Sequence, residues 1–335
     1  MSVKKKKIDD LNLQLTVEVQ PEDYAPISKK KFAERKRTAD FKGFRKGMVP
    51  ASLIQRVYGE QILVESVNEV VSKSLDEYIS SQKLHILGEP LGSEKQPEIE
   101  WKDGNAFTFV FDVALAPEVS LEVAKSDEVP SYTVTVSAKD KAPMIENMKK
   151  YYAEQKEKNP DAEAKSDDDI EKEVAERMKE QYRQESEWRL SKDIRDYFVK
   201  KAGLKPPEDF LKRWLVAAND GKYSKEDVEK EFPGFAEDFK WQMVRGYLMD
   251  KFGFKVEQKD ITDAAEAYVT YQYAMYGIGN VPADMVKDAV NNVLSDRRQV
   301  ERLVEQVEDR KVLEKLKEEI TIKPTKITAA KFREL

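Results

Sequence analysis

Phe41-Lys-Gly-Phe-Arg-Lys-Gly-Met-Val-Pro50 carries two glycines four residues apart. Glycines let a backbone turn tightly. Between them stand Phe44, Arg45 and Lys46. They offer apolar area, a planar fork for carboxylate or phosphate, and a point charge. At an exposed loop tip that set is a recognition device; the plainer alternative is a basic turn. Ahead of the loop, Leu11, Leu13, Leu15, Val17 and Val19 alternate with Asn12, Gln14, Thr16 and Glu18, the pattern of a half-buried strand. Pro21-Glu-Asp then opens a helix that fades near Arg37–Phe41. Behind the loop, Pro50 starts a short helix expected to end at Gly59. Ile62, Leu63, Val67, Val70, Val71, Leu75 and Ile79 then recur at helical spacing to about Gln82.

Further along, Phe107, Phe109, Phe111, Val113 and Leu115 alternate as a second strand. With Leu11–Val19 and a strand expected near Ile99–Trp101, they predict an antiparallel sheet carrying helices on one side. That makes residues 1–117 an α+β domain. Residues 118–131 read as an extended linker. Residues 132–335 read as predominantly α-helical and elongated. A short strand is expected at Tyr132, Val134 and Val136. Helices follow near 138–156, from an acidic 161–169 loop to about Lys201, and near 207–218, 224–230, 234–252, 260–276, 282–296 and 297–319. A short strand at Thr321–Lys323 and a terminal turn at 328–334 close the chain.

Charged residues make up 36% of the chain, which favours a highly solvated, helix-rich protein. The whole chain carries −6, yet residues 1–50 hold 13 Lys/Arg and 7 Asp/Glu, a net of +6. A basic head on an acidic body suggests an anionic partner, or else a solvated helix face. The densest basic run is Lys29 to Lys46. There is no Cys and a single His, His85. Cys-ligated metals, disulfide scaffolds, Cys nucleophiles and multi-His sites are therefore excluded within one chain. Gly277-Ile-Gly279 is too short for a dinucleotide loop, and no phosphate-binding loop motif occurs. The acids at 167–169, 171 and 173 suit the first turn of a helix. No cofactor, metal or catalytic residue is expected. No apolar run approaches 18 residues, and the charged start at Met1–Asp10 lacks the apolar core of a secretory signal. The expected compartment is the cytosol.

Aromatic and Met residues crowd two helices. Phe235, Met243, Tyr247 and Met249 lie on one; Tyr271, Met275 and Tyr276 lie at the end of another. They are either core residues between helices or a partly exposed surface suited to many partners, since Met is flexible and polarisable. These seven are the candidate contacts for a partner.

Phe41–Pro50 resembles the signature loop of trigger factor, the bacterial ribosome-associated chaperone family. Leu87-Gly-Glu-Pro90 and Phe111-Asp-Val-Ala-Leu-Ala-Pro-Glu118 are similar to the end of that family's amino-terminal domain. A weaker likeness continues through Val134–Tyr152 and from about Ile170 to Ile322, as the family's helical domain with its arms. The resemblance implies that Gly43, Phe44, Arg45, Lys46 and Gly47 dock on a ribosomal protein beside the exit tunnel, with ribosomal RNA in reach. It also implies ATP-independent holding of nascent or unfolded polypeptides, and weak homodimerisation off the ribosome. Typical members insert a prolyl isomerase domain of the FKBP-like kind. Here only Ala153 to Asp169 stands in its place, too few residues for that fold. Isomerase activity is therefore expected to be absent. The alternative function is a ribosome-independent chaperone or assembly factor with a helical cradle. A nucleic-acid-binding protein using Lys29–Lys46 is weakened by the overall acidity.

Overall fold

The computed structural model describes residues 2–159, 165–219, 222–279 and 281–335. Part of the expected 153–169 connection, residues 160–164, lies outside them. In chain order the elements begin with β1 (Ser2–Lys7), β2 (Asn12–Val19), α1 (Pro21–Thr38), α2 (Ala51–Ser81), β3 (Ile86–Gly92) and β4 (Phe107–Leu115). Then come β5 (Glu128–Thr135), α3 (Ala138–Lys158), α4 (Asp167–Ala202), α5 (Glu208–Ala218), α6 (Lys225–Phe252) and α7 (Gln258–Met275). The chain ends with α8 (Ala283–Ser295), α9 (Arg297–Glu319), β6 (Thr321–Thr328) and α10 (Ala329–Phe332). Contacts divide the chain into two units, Met1–Glu118 with Lys205–Ala236, and Val119–Leu204 with Glu237–Leu335.

The first unit is an antiparallel sheet in the order β1-β2-β4-β3 with helices packed on it. Leu13, Leu15, Val17 and Val19 turn one face of β2 into the core, against Leu63, Val67, Val70, Val71 and Leu75 of α2. Tyr24 of α1 is buried with them. Its hydroxyl accepts from the Gly104 N–H at 2.9 Å and donates to the Asn105 carbonyl at 3.1 Å. Ile99–Trp101 forms no strand. Trp101 instead lays its ring 5.2 Å from Phe107, so the apolar residues there serve packing, not a ladder. The additional edge strand is β1, whose four lysines lack any alternation. Backbone pairing with β2 holds it, and lysine is a residue that protects an exposed edge.

Helix α2 runs unbroken through Gly59, where the sequence reading ends one helix. A helical glycine costs only about 1 kcal/mol, and buried Ile54 and Ile62 anchor the helix on either side. Likewise α6 is continuous across Pro233-Gly234, with Phe232 and Ala236 buried around them.

Helix α5 packs on β3 and β4, which is why Lys205–Ala236 counts with the first unit. Arg213 Nη1 reaches Asp112 Oδ2 at 2.8 Å, and Nη2 donates to the Gly92 carbonyl at 3.1 Å. Burial pushes the Asp112 carboxyl up, but hydrogen bonds from Arg213, Gln14 and Ser93 outweigh it and hold it below the usual range. The Trp214 indole covers Gly88, which sits at φ +66°; a Cβ there would lie 2.4 Å from Nε1. Gly88→Ala is expected to cost about 2 kcal/mol through backbone strain and displacement of the indole. In urea titrations, Trp214→Ala made alongside it should recover the part due to the clash, as a double-mutant cycle would reveal.

In the second unit, β5 and β6 pair in parallel from Glu128↔Thr321 to Thr135↔Thr328. The expected short final strand thus extends to Thr328. Ser166 caps α4, its Oγ accepting from the Asp169 N–H, and Gly203 ends it at φ +60°. Its 36 residues span about 54 Å. One core gathers Ile170, Val174, Met178 and Tyr182 of α4 with Phe332; another gathers Leu190, Ile194 and Phe198 with Trp241, Leu248 and Leu316. A third joins α7, α8 and α9 through Ala265, Val269, Val290 and Leu303. No helix among the described residues is long and apolar enough to cross a membrane.

Candidate functional site

The loop between α1 and α2 is two consecutive tight turns. The Phe44 N–H donates to the Phe41 carbonyl at 3.0 Å, and the Met48 N–H to the Arg45 carbonyl at 2.9 Å. Gly43 (φ +93°) and Gly47 (φ +84°) occupy the third position of each turn, where a positive φ calls for glycine. A small core closes the base: Ala39, Val49 and Ile54 are buried, and the Phe41 ring meets Tyr58 edge-on at 6.0 Å. The tip is left outside. Phe44 is 43% and Met48 72% exposed, and Arg45 and Lys46 are exposed as well.

The surrounding charge is unevenly committed. Arg35 lies over the Tyr58 ring, 4.9 Å from its centroid. Lys31 pairs with Glu69 at 2.9 Å. Lys46 lies 3.9 Å from Asp40, a solvent-screened distance worth little. Arg45 has no ion pair among the described residues. The tip therefore offers an aromatic ring and an unengaged guanidinium held on a rigid base. That arrangement suits docking on a surface with an apolar hollow and an anionic group.

The seven candidate client contacts separate. Tyr271, Met275 and Tyr276 are 63%, 70% and 83% exposed at the end of α7. Tyr271 and Met275 share a helix face, being one turn apart. Met249 is buried, and Tyr247 is half-buried with its hydroxyl donating to the Leu121 carbonyl at 3.3 Å. Met243 is half-buried. Phe235, also half-buried, falls in the first unit with its ring 6.0 Å from Phe232. The structure adds Ile278 and Met285, both exposed, and Ile278 lines a groove of about 470 Å³ between α7 and α8. Their loop and first-turn positions give no helical stripe, so sequence periodicity passes over them.

Comparison with known proteins completes the assignment. The family model described as "Bacterial trigger factor protein (TF)" matches residues 1–148. That described as "Probable trigger factor, C-terminal domain" matches residues 186–335. The chain belongs to the trigger factor family. A trigger factor of Coxiella burnetii (strain CbuK_Q154) is 30% identical over 164 residues, covering 49% of this chain and 36% of that protein. One from Francisella tularensis subsp. novicida is 28% identical over 153 residues, covering 46% and 34%. The matched stretch thus spans about a third of these relatives' length. A solved structure from work on "Promiscuous Substrate Recognition in Folding and Assembly Activities of the Trigger Factor Chaperone" superposes with a TM-score of 0.52 at 14% identity. It covers 94% of this chain and 99% of its own, which establishes a shared trigger factor fold.

Proposed function

We propose that this chain is an ATP-independent chaperone that docks beside the ribosomal exit tunnel and holds apolar segments of nascent or unfolded polypeptides. The observation that carries the reading is the pair of glycine turns presenting Phe44, Arg45 and Lys46 at an exposed tip. Phe44 fills an apolar hollow on a ribosomal protein, and Arg45 and Lys46 meet its carboxylates or nearby RNA phosphates. Docking belongs to the first unit, residues 1–118 with 205–236, and holding to the second, residues 119–204 with 237–335. The compartment is the cytosol, and free copies associate weakly.

Holding uses exposed apolar area that folded proteins rarely leave in one place. Tyr271, Met275 and Tyr276, with the exposed Ile278 and Met285 that follow them in the chain, supply it. Loose, polarisable side chains accept many sequences at low specificity. Replacing Tyr271, Met275 and Tyr276 together by serine is expected to abolish most suppression of aggregation of a chemically unfolded client. The thermal midpoint should stay unchanged, because none of the three is buried. Light scattering checks this; full activity in the triple variant would contradict it.

The reading includes no prolyl isomerisation. Only residues 149–185 separate the two matched regions, and α3 and α4 occupy most of them. A flat rate trace on an X-Pro peptide is expected.

A further inference from the structure

We propose that the unpaired edge of β5, with the flank of α4, is a docking groove for an extended polypeptide segment bearing acidic side chains. This rests on the reading that the chain holds polypeptides, and it assigns one way of holding them.

β5 pairs with β6 along one side only. A groove of about 500 Å³ runs along the other, lined by β5, by Lys141 of α3 and by α4 from Ala175 to Leu190. No residue of β6 lines it. Ser131, Tyr132, Thr133 and Val134 line it consecutively. Successive strand side chains point to opposite faces, so a wall made of four consecutive residues is the strand's backbone edge. Its outward N–H and C=O groups are a template for another strand.

The dimensions suit that occupant. Ala175 to Leu190 is about 22 Å of helix, the length of six or seven extended residues. Ser186 lines the groove. Its Oγ is buried and has no hydrogen-bond partner among the described residues.

Charge selects among extended segments. Lys141, Lys179, Arg183 and Glu187 line the groove. Arg183 is engaged by Glu180 and Glu187, at 2.6 and 2.7 Å. Lys179 has only Glu176, 4.0 Å away, and Lys141 has no ion pair among the described residues. The rim is therefore net positive. A second copy offering its own β5 edge would bring like charges together, so an acidic segment is favoured over self-pairing. Main-chain pairing is indifferent to most side chains, and the rim adds a preference for carboxylates.

The test uses the full chain and a fluorescein-labelled seven-residue peptide of alternating valine and glutamate. Binding is read by anisotropy, and its position by amide exchange. The peptide should bind and slow exchange in β5 but not in α7. Methylating its backbone nitrogens should abolish binding. A valine–lysine peptide should bind about tenfold more weakly, and Lys141→Glu with Lys179→Glu should reverse that preference. Lys179 is exposed, Lys141 is half-buried, and neither belongs to an apolar core, so the variant keeps its fold. Equal binding of the methylated peptide would overturn the proposal. So would unchanged exchange in β5, an unchanged preference in the charge-reversed variant, or a doubled mass that excludes peptide. Suppression of client aggregation is measured on the same sample. If a client is held while the peptide arms fail, the groove alone is refuted; if no client is held, the chaperone reading fails first.

Discussion

Asp127→Ala is expected to destabilise the second unit by about 2 kcal/mol, the scale for removing a buried acceptor that several donors share. Asp127 is 3% exposed. Oδ1 accepts from Lys201 Nζ at 2.5 Å and from the Tyr197 hydroxyl at 2.8 Å, and Oδ2 from the Ala124 N–H at 2.9 Å. Its carbonyl accepts from the Thr321 N–H at 2.8 Å. One side chain thus ties the 124–127 turn to the end of α4, beside the start of β6. Alanine removes the acceptor shared by three donors; Lys201 keeps the Glu122 carbonyl at 2.8 Å, while the Tyr197 hydroxyl and the Ala124 N–H lose this partner. Urea titration should find the midpoint lowered, with the slope kept.

The same carboxyl sets an acid limit. Burial pushes the Asp127 carboxyl up, but hydrogen bonds from Lys201, Ala124 and Tyr197, with the Lys201 charge, outweigh that and hold it below the usual carboxylate range. A group whose folded value is depressed contributes stability that is complete above the ordinary value of about 4 and is lost as pH falls through the folded one. Wild type should therefore lose stability more steeply than Asp127→Asn below about pH 4. Parallel profiles would contradict this assignment.

Replacing Gly43 and Gly47 together by alanine is expected to weaken ribosome binding about a hundredfold without unfolding the domain. Both sit at positive φ, and nothing lies within 4 Å of either added Cβ. The penalty is purely conformational, about 1–2 kcal/mol for each L-residue forced into that region. The free loop escapes it by leaving the turns, so the docking-competent form becomes rare and apparent affinity falls in proportion. Gly104→Ala is the control. Gly104 also has a positive φ (+88°) and an open Cβ direction, but it lies outside the loop. It should leave binding unchanged.

What the sequence discloses depends on whether a feature is local. β2 and β4 are legible because apolar residues alternate while one face is buried, and the loop because glycine at a turn's third position is a local demand. β1 is hidden, since four lysines carry no period and the strand exists only through the bonds β2 offers. Gly59 and Pro233-Gly234 look like breaks because local cost is visible and the packing that overrides it is not. Met249 and Met275 are both Met on amphipathic helices, yet one is 7% and the other 70% exposed. Which face meets a neighbouring helix is decided by tertiary contacts. The β5 groove is illegible for the same reason, as it is assembled from β5, α3 and α4.

The central claim is that Phe44, Arg45 and Lys46 anchor the chain to the ribosome. Co-sedimentation of the full chain with bacterial ribosomes, wild type against Phe44→Ala/Arg45→Ala/Lys46→Ala, tests it most directly. Wild type should pellet with ribosomes, and the triple variant should remain in the supernatant while keeping its fold. Both pelleting equally, or neither pelleting, would contradict the account and leave a chaperone that works away from the ribosome.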